Sequence, residues 1–172
     1  MEKKKEEPTV EESKNTAIEP DQLKLDLAGK VVKKYMYWSM GAGLIPVPVL
    51  DMATVSGVQL KMLSEISKIY EVKFSENAGK SIIAALLGSI TAGALTRSTL
   101  TSFIKSIPII GFLGSLSMPI YSGAATWAIG KVFIQHFATG GTFLNFDPQK
   151  VKDYFADLYK QGQTVAENIK SA

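Results

Sequence analysis

The chain of 172 residues has no cysteine, a single histidine and, between Glu76 and Asp147, seventy consecutive residues without aspartate or glutamate. Without thiols there are no disulfides, thiolate metal centres or cysteine nucleophiles, and one imidazole cannot assemble a histidine zinc cluster within one chain. No catalytic residue, cofactor or metal site is therefore expected, and the chain reads as non-enzymatic. The carboxylate gap excludes something further. A helix on an ordinary wet surface carries acidic side chains, so a stretch with none does not meet water in the usual way. The gap reads as membrane-embedded, with the lipid bilayer as its partner.

Four cations lie inside it, Lys80, Arg97, Lys105 and Lys131, and they leave uncharged runs of 16 residues (81–96) and 25 residues (106–130). At 1.5 Å per residue these make helices of about 24 and 37 Å, against a hydrocarbon core of about 30 Å. The second run is long enough to cross, and the first is marginal unless Lys80 and Arg97 snorkel. The alternative is a buried hairpin sheathed by amphipathic helices, as in toxins that insert conditionally. If the hairpin crosses, both tails lie on the cytoplasmic side of a bacterial-type inner membrane, because the lysine-rich flanks favour that side.

A hydrophobic content of 46% and a charged fraction of 20% are those of a folded domain with tails. The net charge is +3, and the carboxylate-free segment alone carries +4. The cations are dispersed rather than striped, so nucleic acid is not an expected partner. Residues 1–15 have no apolar core of an export signal, which points to a cytoplasmic start.

The sequence divides into a charged disordered tail over 1–20, a helical domain over 21–142 with an apolar hairpin at 77–137, and an amphipathic helix over 147–170. The first helix is predicted from a cap at Asp21 to about Met40, burying Leu23, Leu27, Val31 and Tyr35. A second, from Pro48 to about Tyr70, carries Met52, Val55, Val58, Met62, Ile66 and Ile69 on one stripe. A third starts after Ser75 and runs to about Ser102, and a fourth passes through a turn or kink at 107–114 and Pro119 to about Phe137. The last follows Asp147-Pro148 and buries Val151, Tyr154, Phe155, Leu158, Val165 and Ile169. The fold class is thus all-α, a hydrophobic hairpin flanked by amphipathic helices and associated with a membrane.

Within the apolar runs, small residues recur four apart, as Ala84 with Gly88, Ser89 with Gly93 and Thr126 with Gly130, a spacing that lets helix backbones approach. Gly79-Lys80-Ser81 looks like the end of a phosphate loop, but Phe74 stands where that loop needs its first glycine. Lys80 is better read as an interfacial charge. Asp51 is the only charge between Tyr35 and Leu60; it is either an intramembrane carboxylate on an ion path or a first-turn residue that favours the helix dipole. His136, beside Phe133 and Phe137, reads as a packed residue. Tyr35, Tyr37, Trp38, Tyr121 and Trp127 suit an interfacial belt, although Tyr121 and Trp127 also suit a core.

The order Ile45-Pro46-Val47-Pro48-Val49-Leu50-Asp51, then Gln59, Met62, Ile66 and Tyr70, then Ile107-Pro108-Ile109-Ile110-Gly111, then Ala125 to Phe133 with Trp127 and Gly130, resembles the YcjF-like, GTPase-associated membrane family of unknown function. The resemblance covers about 100 residues, from Gly43 to about Thr142. It implies a membrane protein that works beside a GTPase, either fused or separate. No GTPase domain is present in the chain, so such a partner would act in trans. Anchoring, assembly with copies of itself and membrane remodelling are the functions expected.

Overall fold

The computed structural model describes the backbone of residues 19–42, 51–97 and 107–171, and side chains over 19–41, 56–90 and 118–171. Among them there are five helices and no strand: α1 (Pro20–Ala42), α2 (Asp51–Ile69), α3 (Glu76–Arg97), α4 (Ile107–Ala138) and α5 (Pro148–Ser171). Pro46, Pro48, Lys105 and residues 1–18 of the expected tail lie outside the described residues.

Each helix starts and stops for a local reason. Pro20 opens α1 one position before the expected cap, because proline tolerates the first helical site, and the Leu23 amide reaches the Glu19 carbonyl at 3.0 Å. Asp147 caps α5 from the position before Pro148, its carboxylate accepting the Gln149 amide at 3.0 Å. Two helices end in Schellman turns. In the first, Val72 N–H donates to the Ser67 carbonyl at 2.8 Å with Glu71 left-handed at φ 59°. In the second, Gly141 N–H donates to the His136 carbonyl at 2.8 Å around Gly140 at φ 82°. Glycine suits that backbone; Glu71 adopts it at a steric cost. Pro119 lies inside α4, which therefore lacks one backbone hydrogen bond there but continues unbroken from the stretch where a turn or kink is expected.

Helix α4 is the axis of the fold. It packs chiefly on α1 and α5, less on α2, and only slightly on α3. Among the described residues the two apolar arms therefore meet only slightly, where the expected hairpin would pack them together. The reason lies in the side chains. Ser122, Gly123, Thr126 and Gly130 give α4 a small-residue face that fits Val32, Ser39 and Met40 of α1, whereas Ile82, Ile83 and Leu86 of α3 join the common core. Among the described residues no helix is long and apolar enough to cross a membrane, so a spanning hairpin is not seen.

The buried face of α1 also differs from the expected one. Ala28, Val32, Tyr35, Met36, Ser39 and Met40 are buried, while Leu23 and Leu27 are exposed. The residues that meet α4 closely, Val32, Ser39 and Met40, lie one step round the helix from the leucine stripe, which leaves Leu23 and Leu27 outward. On α5 the buried positions are Phe155, Leu158, Gly162 and Ala166, and Tyr154 is exposed. At the far end of α4, Phe133, Phe137, Phe143 and Phe146 form a ring cluster joined by Tyr70 and Phe74.

Candidate functional site

The polar chemistry inside the bundle gathers where α1, α2 and α4 meet. Ser39, Gln59 and Thr126 are fully buried and Ser122 nearly so. Since α1 and α4 run antiparallel, Ser39 faces Ser122 while Val32 faces Gly130. The Ser39 hydroxyl donates to the Ser122 carbonyl at 3.1 Å and the Ser122 hydroxyl returns to the Ser39 carbonyl at 3.0 Å, with the two hydroxyl oxygens 2.6 Å apart. Thr126 donates to the Ser39 oxygen at 2.9 Å, and Gln59 reaches Thr126 from α2 through a long 3.4 Å contact. This hydroxyl clasp crosses three helices without a charge. Its uneven member is Gln59, whose Oε1 has no hydrogen-bond partner among the described residues.

That asymmetry gives a prediction. Removing both halves of a poorly satisfied buried polar group can be neutral or stabilising, whereas stranding a partner costs about 1–3 kcal/mol. Gln59→Met, which removes the orphan Oε1 and only a long contact to Thr126, should therefore leave the unfolding free energy from urea denaturation unchanged or raised. Ser39→Ala, which takes the acceptor from Thr126 and leaves the Ser122 hydroxyl only the Ser39 carbonyl, should lower it by about 1–3 kcal/mol.

Outside the clasp, α1 and α2 form an open groove of about 420 Å³ lined by Lys34, Tyr35, Trp38, Gly57, Val58, Lys61 and Glu65. Glu65 accepts from Lys34 Nζ at 2.6 Å and from the Tyr35 hydroxyl at 2.6 Å. Burial pushes the Glu65 carboxyl up, but hydrogen bonds from Lys34 and Tyr35, with the charges of Lys34 and Lys61, hold it below its usual range. Stability from this carboxylate is thus present above its unfolded pKa and lost as pH falls through the folded one. Burial first, and Glu65 second, raise the Tyr35 phenol. Trp38 is 69% exposed and Tyr37 55% exposed, high values for such large rings.

The residues singled out in the sequence are scattered rather than gathered into one site. Thr126 and Gly130 are buried against α1, and Gly130 also meets Met62 of α2. Ala84 and Gly88 are exposed and Ser89 is half-buried, its hydroxyl bonded to the Leu86 carbonyl at 2.6 Å. Asp51 is the first residue of α2 and Arg97 the last of α3, while Gly93, Pro108 and Gly111 lie within helices; the side chains of all five are outside the description. Lys80 pairs with Glu76 at 2.6 Å on an exposed helical face. Gly79 is buried under Leu60 in that helix, so its backbone wraps no phosphate. Lys131 sits 5.5 Å from the ring centre of half-buried Trp127. His136 Nε2 faces the carbonyl oxygens of Thr142 at 2.9 Å and Asn145 at 3.2 Å, so it carries the hydrogen and fastens the 139–147 turn.

Sequence reading missed Ser39, Ser122 and the close contact of Gly162 with α4. A serine in an apolar helix looks merely small, and only its partner's position makes it a clasp. The four-residue spacings Ser122-Thr126-Gly130 and Gly162-Ala166 were the available signal.

The arrangement defines a helical bundle closed by small residues and hydroxyls around one apolar helix. The chain belongs to the family described as domain of unknown function DUF697, whose model matches residues 13–164. This agrees with the resemblance to a membrane family of unknown function and extends it to α1 and most of α5. A curated relative, magnetosome membrane protein 22 of Magnetospirillum gryphiswaldense, is 34% identical over 154 residues, covering 88% of this chain and 79% of its own. No solved structure matches.

Proposed function

We propose that the chain is a non-enzymatic, membrane-associated scaffold that anchors at the cytoplasmic face of a bacterial-type inner membrane, assembles with copies of itself and acts beside a GTPase on another chain. The observation that carries the membrane part is the edge formed by Lys34, Trp38 and Lys61. These lysines bound residues 35–60, a stretch whose one charge is Asp51, and the fold brings them to the same groove beside an exposed tryptophan. Lysine and tryptophan at the border of a stretch with a single charge are the side chains that suit a membrane–water interface. The name of the relative as a membrane protein supports the same reading, and the family resemblance is the ground for the GTPase.

The test is fractionation of cells expressing the full chain. Recovery in the membrane pellet, retained after a high-salt wash, is the expected result. Recovery of the folded chain in the supernatant would overturn the proposal.

A further inference from the structure

We infer that the groove between α1 and α2 seats the phosphate headgroup of an anionic phospholipid, with Lys61 and Lys34 as its cations and Trp38 beside it at the acyl-ester level. This rests on the membrane reading above and goes further by naming the lipid class and the residues that select it.

The groove holds two lysines against one carboxylate, and the carboxylate is already engaged. Glu65 takes both its short contacts from Lys34 and Tyr35, which leaves Lys61 exposed and without an ion pair among the described residues, though its charge is felt by Glu65. The local excess is therefore one positive charge directed at the opening. Lys30 and Lys33, exposed on the preceding turn of α1, add to the positive field on that helix. Beside the lysines, Trp38, Gly57 and Val58 supply an apolar wall with little side-chain bulk at Gly57, where even an added Cβ would meet nothing within 4 Å. A phosphate with a glycerol ester behind it matches that sequence of charge, aromatic ring and apolar wall. A neutral headgroup leaves the excess charge unmatched, and a free anion leaves the wall unused. The aromatic ring serves the depth of binding, and the lysines serve the choice of lipid.

Co-flotation of the full chain with vesicles of phosphatidylcholine alone, and of phosphatidylcholine mixed with phosphatidylglycerol, reads both. The wild type should partition more tightly onto the mixed vesicles. Lys61→Gln should weaken partitioning there about fivefold, the effect of one lysine at an anionic surface, and change little on phosphatidylcholine. Glu65→Gln should act in the opposite direction, because it frees Lys34 for the phosphate. Trp38→Ala should weaken binding to both vesicles. Lys160→Gln and Asp157→Asn, exposed changes on α5, alter net charge by the same amounts without touching the groove, and circular dichroism checks that each variant is folded. If the α5 variants shift partitioning as much as Lys61→Gln and Glu65→Gln, the surface responds to overall charge and the groove has no special part. If the wild type floats with vesicles and the groove variants match it, the headgroup site is wrong while membrane association stands. If the wild type floats with neither vesicle, both readings fail.

Discussion

Gly162→Ala will destabilise the bundle, although alanine is the better helix former by about 1 kcal/mol. A Cβ built at Gly162 comes within 2.8 Å of the Ala124 carbonyl oxygen and 3.0 Å of its Cα. Those atoms are backbone, so no rotamer change relieves the contact and α4 and α5 must move apart. Overpacking of this kind costs about 1–3 kcal/mol, and Gly162→Val, with more bulk at the same point, should cost more. The matched control is Gly29→Ala on α1, where a Cβ meets nothing within 4 Å. That change should stabilise the protein by about 0.5–1 kcal/mol. Urea denaturation of both variants decides the matter: equal shifts, or a gain at Gly162, would show that the two helices do not meet through bare backbone.

A larger loss is expected from Phe133→Ala. Phe133 is fully buried and holds the ring cluster together, stacked on Phe146 with centres 4.8 Å apart and in contact with Phe137 and Phe143 at 5.4 Å each. Truncation removes the apolar transfer energy and leaves a ring-sized cavity whose neighbours belong to α4 itself and to the 139–147 turn, which His136 and Asn145 pin in place. Collapse into the void is thereby restricted, and the loss should fall at about 3–5 kcal/mol, the upper range for such deletions. Phe146→Ala, at the edge of the cluster and 9% exposed, should lose less. A loss under 1 kcal/mol at Phe133, measured by thermal and urea unfolding together, would mean the cluster is loosely packed.

The helices themselves were legible from the chain. Periodicity with Asp21, Pro48, Ser75 and Asp147-Pro148 locates four of the starts to within a few residues, because caps and proline act on the residues beside them. What periodicity could not convey is which helix faces which. The expected hairpin assumed that two neighbouring apolar arms pair with each other, yet over the described residues α4 packs chiefly on α1 and α5, since complementarity of small faces decides that pairing and depends on residues more than eighty apart, such as Ser39 and Ser122. The same limit hid the α1/α2 groove. Lys34 and Lys61 read as two unrelated surface charges until the antiparallel pairing of α1 and α2 sets them beside Trp38. Leu23 and Leu27 misled in a different way: they mark an apolar stripe, and the core took the adjacent one.

The hydroxyl clasp has a consequence for where this bundle holds together best. When Ser39, Ser122 and Thr126 separate in water, solvent takes up the freed donors and acceptors, so opening is cheap for each group. Within hydrocarbon no solvent is there to receive them, and the same separation strands every one. A seam of serine, threonine and glycine therefore behaves as a polarity-sensitive fastener, firmer the further the surrounding medium is from water. A chain that moves between cytosol and bilayer would arrive with its α1–α4 contact already of the kind that a bilayer strengthens.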